Sequence, residues 1–173
     1  MTPDPLVARI DRMAAAASGR LADADVLEQS LRATSDSGYL LRLLAFEILL
    51  KALVRINGVT PEKSHSYLDL FHALPDTVRG RVVARAAERM STSANYSSLP
   101  DLLHTFATNF TALRYPYEAY ENVSTEALKG AGKGWVARGA QDAEATFVYH
   151  PEELFGLTFA LTAEVGDWLT SPR

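Results

Sequence analysis

Hydrophobic residues recur along this chain at three- and four-residue intervals in one stretch after another, and no segment keeps the two-residue alternation of a half-buried strand. The densest run is Gly38–Asn57, GYLLRLLAFEILLKALVRIN, where seven leucines with Phe46, Ile48, Val54 and Ile56 leave almost no polar side. A helix apolar nearly all round belongs in a core, so this segment is predicted to be the central helix. Before it, Leu6, Ile10, Met13 and Ala17 mark an amphipathic helix opened by Pro5 and stopped at Gly19. Asp23 is placed to cap a second helix carrying Leu27 and Leu31, interrupted by Ser35, Asp36, Ser37 and Gly38. Asn57-Gly58 suits a left-handed C-terminal residue, and Pro61 prevents the central helix from resuming.

Farther on, a short helix is predicted over Ser66–Ala73, with Tyr67, Leu70, Phe71 and Leu74 as its apolar positions. Pro75 opens another, with Val78, Val82, Ala86 and Met90 on one side. From Leu99, the residues Leu103, Phe106, Phe110, Leu113 and Tyr117 keep helical spacing until Pro116 forces an end or a kink. The segment 122–150, with glycines at 130, 132, 134 and 139, lacks a sustained period and is predicted to be a long loop with at most a short helix or hairpin. Pro151 opens the last helix, with Glu152 and Glu153 in its first turn and Leu154, Leu157, Leu161, Val165 and Trp168 along one side. The expected architecture is all-α: a single domain over 1–173, a bundle of about five to seven helices.

The polar exceptions carry what chemistry there is. Glu47, Lys51 and Arg55 recur every fourth residue and stack into one narrow stripe on the central helix, which either meets water or lines a site. Arg81, Arg85 and Arg89 form a second stripe, read as a solvated face. At the break before Pro116, Arg114 gathers with Tyr115, Tyr117, Tyr120 and Glu118; an Arg114–Glu118 pair tying the kinked helix to its neighbours is the plain structural reading of that cluster.

Composition narrows the classes. At 173 residues, 47% hydrophobic and 22% charged, the chain has enough interior to stand without staples, and the absence of cysteine removes disulfides, thiolate metal sites and cysteine nucleophiles. The start, MTPDPLVARID, has acids where a secretory signal is basic and then apolar, so a cytoplasmic protein is expected. Charges at Arg42, Glu47, Lys51 and Arg55 argue against a membrane span. A net charge of −4 disfavours general polyanion binding while leaving room for a local basic patch. KGAGKGW is not a phosphate loop, because the places that need glycine and Ser/Thr hold Ala127 and Gly134. His65, His72, His104 and His150 lack the spacing of zinc helices, and neither a metal nor a cofactor is expected.

Three pieces remain in order: AFEILLKALVR, SHSYLDLFHAL and NFTALRYPYE. Together they resemble the HEPN superfamily of small α-helical prokaryotic proteins, in which an apolar helix with a Glu/Lys pair precedes a His-x-Leu segment. Here the pair is Glu47 and Lys51, the segment is His65 with Leu68 and Leu70, and the resemblance covers residues 38–121. It implies a four- or five-helix bundle, often a homodimer, with RNA or nucleotides as ligands and metal-independent ribonuclease members in toxin–antitoxin and phage-defence systems. Arg114 matches the nuclease arginine, while Ala119, Tyr120 and Glu121 stand where the histidine belongs. Cleavage through the 2′-hydroxyl asks for a base and a cation, for which Glu118, a tyrosine or His65 and then Arg114 are the candidates. The expected ligand site comprises Lys51, His65, Arg114, Tyr115, Tyr117 and Tyr120, supported by Glu47 and Arg55. The competing expectation is a non-catalytic module docking an antitoxin, another protein or its own copy.

Overall fold

The structure, a computed structural model, describes residues 4–30, 36–61, 65–141 and 145–172, with the side chains of residues 30, 129 and 132 left out. Regular structure among the described residues is helical throughout: α1 (Pro5–Ser30), α2 (Ser37–Ile56), α3 (Tyr67–His72), α4 (Asp76–Met90), α5 (Leu99–Ala112), a 3₁₀ helix (Pro116–Tyr120), α6 (Thr125–Ala137) and α7 (Pro151–Thr170). The all-α bundle of the sequence reading is the fold.

Helix α2 is the hub, packing against α1, α3, α5 and α7. Leu43, Leu50 and Val54 are wholly shielded, and each such side chain contributes about 1.5–3 kcal/mol by leaving water. Its end is as the sequence implies: Asn57 Nδ2 donates to the Leu53 carbonyl at 2.8 Å, and Gly58 takes φ +79°.

Upstream, the expected stop at Gly19 and second helix from Asp23 are replaced by one continuous 26-residue helix, α1. A glycine inside a helix costs roughly 1 kcal/mol. Burial of Ile10, Ala17 and Ala24 along one face, with Leu21 packed against the core, outweighs that cost. Arg42 of α2 clamps the pair, donating to Glu28 from Nε at 2.9 Å and to Asp25 at 2.7 Å, which holds the Glu28 carboxyl below its usual range. Leu31 and Ser35 lie outside the described residues.

Helix α3 is capped by Ser66, whose Oγ accepts from the Asp69 amide at 3.3 Å, and it sits between α2 and α5. Helix α5 stops at Ala112, before Pro116, and the chain continues as the 3₁₀ turn. Because the helix ends there, Tyr117 leaves the apolar face it was assigned and stands exposed.

Helix α4 lies against α7. Arg81 and Arg85 both reach the buried Glu164, at 2.8 and 3.3 Å, Arg85 also meets Asp167 at 2.7 Å, and Arg89 lies over the rings of Phe155 and Phe159. The arginine stripe therefore mates with α7 instead of forming a purely solvated face.

The segment 122–150 holds the 13-residue α6 rather than a mainly irregular loop. Ser124 caps it by accepting from the Ala127 amide at 3.2 Å, and Glu126 lies in the first turn, where the dipole favours an acid. Those two signals outweigh the glycines. Among the described residues no helix is long and apolar enough to cross a membrane.

Candidate functional site

Glu47 sits in the middle of α2 and is only 5% exposed, so its carboxylate needs partners inside the bundle. One turn on, Lys51 Nζ donates to Oε1 at 2.7 Å. From the connection leading into α3, His65 brings Nδ1 to 3.1 Å from Oε1 and 3.0 Å from Oε2. A neutral imidazole that donates from Nδ1 to this carboxylate carries its lone pair on Nε2, on the far side of the ring. Directly behind, the Tyr67 hydroxyl donates to the Leu43 carbonyl at 3.3 Å. Burial pushes its ionisation well up, Glu47 pushes it further, and Arg114 partly offsets the rise, so Tyr67 remains a neutral donor.

Phe110 of α5 links this cluster to the break at Pro116. The His65 ring packs on it with centroids 5.3 Å apart, Tyr67 lies at 6.2 Å, and the Arg114 guanidinium sits 4.8 Å above the ring. Arg114 Nε also donates to the Phe110 carbonyl at 3.2 Å, which fixes the side chain at the helix end. Such a cation–π contact contributes about 0.5–1 kcal/mol where solvent reaches it. The Arg114–Glu118 pair does not form among the described residues; Arg114 takes Phe110 instead.

Beside the cluster runs a groove of about 710 Å³ between α3 and α5, lined by His65, Tyr67, His104, Thr108, Tyr115 and Glu118 among others. Glu47, Lys51, His65 and Arg114 thus share one neighbourhood around Tyr67 and Phe110, with Tyr115 and Glu118 on the adjoining wall. Tyr117 is 67% exposed and stands edge-on to Tyr115 at 6.2 Å. Tyr120 lines another cavity, edge-on to Phe147 at 6.4 Å, so the three tyrosines do not form a single platform. Arg55 lies in the last turn of α2, and among the described residues no hydrogen bond or ion pair ties it to the cluster.

Three participants were not singled out from the sequence. Tyr67 and Phe110 were assigned to the core by their period, and their ring edges at the site are invisible to periodicity. His104 was legible: with Thr108 and Thr111 it forms a polar stripe at helical spacing on α5. Among the described residues no group of three or more His, Asp or Glu is placed to hold a metal ion. The chain matches no protein-family model, no curated protein and no solved structure.

Proposed function

We propose that this chain is a HEPN-like helical protein that binds RNA or a nucleotide along the α3–α5 groove, as a toxin or phage-defence component does, with ribonuclease activity residual at most. The observation that supports this reading is the gathering of Lys51, His65 and Arg114 around one buried carboxylate and one shared ring. Glu47 holds the imidazole with Nε2 directed away from it, the orientation a base for a 2′-hydroxyl requires. Arg114, exposed and braced on Phe110, suits a phosphate through its planar fork of donors. Tyr115 and Tyr117, 52% and 67% exposed, offer faces on which bases stack at about 1–3 kcal/mol each. Binding of short single-stranded RNA by the parent, Arg114→Ala and Tyr115→Ala is the test. Equal, weak binding by all three refutes the proposal, and the absence of product from total RNA at high protein concentration removes the nuclease component.

A second reading, a protein-docking or dimerisation module, is favoured by Phe155 and Phe159, 43% and 44% exposed on α7. Under that reading Phe155→Ser with Phe159→Ser abolishes self-association or partner capture and leaves RNA binding where it was.

A further inference from the structure

Four aromatic rings from three segments line part of a second, open cavity of about 490 Å³ between the 3₁₀ helix, α6 and the residues leading into α7. Tyr120 comes from the 3₁₀ helix, Trp135 from α6, and Phe147 and Tyr149 from the approach to α7. The volume falls within the roughly 300–1,000 Å³ typical of small-molecule sites.

The polar tips of two rings are already engaged. Trp135 Nε1 donates to the Gln141 carbonyl at 2.9 Å. The Tyr149 hydroxyl donates to Asp36 Oδ1 at 2.7 Å, and its ring is braced edge-on against Tyr39 at 4.9 Å. What these rings still offer a ligand is therefore π surface more than hydrogen bonds. Among the described residues lining the cavity Asp36 is the one charged residue, and none of them is Lys or Arg.

Aromatic faces are negative, and a lone carboxylate adds to that field. An anion is repelled by such a lining. A primary ammonium is strongly hydrated and needs hydrogen-bond acceptors that most of this wall lacks. A methylated cation, with diffuse charge and an apolar skin, loses little hydration and gains from every ring. We infer that the cavity formed by Tyr120, Trp135, Phe147, Tyr149 and Asp36 is a binding site for a small quaternary-ammonium cation. Among the described residues it shares no lining residue with the α3–α5 groove, and it does not depend on the reading of that groove.

Choline chloride and tetramethylammonium chloride, titrated into the full chain at constant ionic strength, are the probes, followed by calorimetry and tryptophan fluorescence. The neutral isostere 3,3-dimethylbutan-1-ol is the control. The expected result is saturable binding of both cations, with the alcohol about tenfold weaker or more. Asp36→Asn and Phe147→Leu weaken choline binding by about tenfold each, with unchanged circular dichroism and thermal midpoint. A trimethyllysine peptide run in parallel tells a free solute from a modified side chain: binding tighter than choline shows that the cage serves a protein ligand and overturns the solute assignment. Equal affinity for choline and its isostere, no binding of either cation, or full binding by both folded variants overturns the site.

Discussion

The Glu47 carboxylate and the His65 imidazole, separated by 18 residues, meet at 3.0 Å with Lys51 closing on the same carboxylate at 2.7 Å. The acid is buried while its two partners reach solvent, with Lys51 21% and His65 50% exposed at the side chain. Glu47→Gln keeps the shape but leaves Lys51 facing an amide. Full burial of both partners would make the loss about 3–5 kcal/mol, and screening by solvent reduces it to about 1–2 kcal/mol. The urea midpoint of Glu47→Gln should fall accordingly. A midpoint equal to that of the parent would show that the carboxylate does not hold this corner together.

Phe110 supports His65 on one contact and Arg114 on another. Phe110→Ala is expected to cost about 3–5 kcal/mol through the cavity it opens, whereas Phe110→Leu keeps most of the volume and removes only the ring. RNA affinity should drop in the folded Phe110→Leu protein, because Arg114 loses the surface that fixes it. Undiminished affinity would mean that the ring does not position the guanidinium.

The close approach of α4 and α7 depends on Gly156, where an added Cβ would run into the Tyr96 hydroxyl and Met90 Cγ. Gly156→Ala should destabilise by about 1–3 kcal/mol from overpacking. Since the Tyr96 hydroxyl is buried without a hydrogen-bond partner among the described residues, Tyr96→Phe alone should be neutral or stabilising. The double variant should recover much of the loss. Additive effects in thermal unfolding would contradict this account of the contact.

Glu164 is 7% exposed and takes both Arg81 and Arg85 across the same interface. Glu164→Gln is expected to cost about 1–3 kcal/mol, and Arg81→Ala, whose side chain is 54% exposed, less than about 1 kcal/mol. A double-mutant cycle on Arg81 and Glu164 measures the coupling, and a value of zero would reduce the bridge to a surface contact.

Alkaline stability follows from the tyrosines. Burial first, and then the charge of Glu153, pushes the Tyr96 hydroxyl up to about 12, above the usual tyrosine value of about 10, and burial raises Tyr39, Tyr67 and Tyr149 in the same direction. A group whose folded value lies above its unfolded value contributes fully below the unfolded value and loses that contribution as pH rises through the folded one. Stability should hold to about pH 10 and fall between about pH 10 and 12. Tyrosinate absorbance and circular dichroism followed together should show these tyrosines ionising as the chain unfolds. Complete ionisation of the folded chain near pH 10 would contradict their burial.

Helices α2, α3, α4, α5 and α7 were legible in place and type, because a helix is a local object: period, cap and breaker all lie within a few positions of one another. The Asn57-Gly58 stop and the Pro116 break are of that kind. So was the polar stripe that singled out Glu47 and Lys51. Gly19 misled because its cost is local while the burial of Ala17 and Ala24 that outweighs it comes from α2 packing alongside. Only the tertiary structure decided that Glu47 is buried, that His65 closes on it, that Phe110 lies beside both His65 and Arg114, and that Tyr120 belongs with Trp135 in a different cavity. Those meetings depend on how the helices seat against one another. Side-chain packing over long separations sets that seating, and no window of sequence contains it.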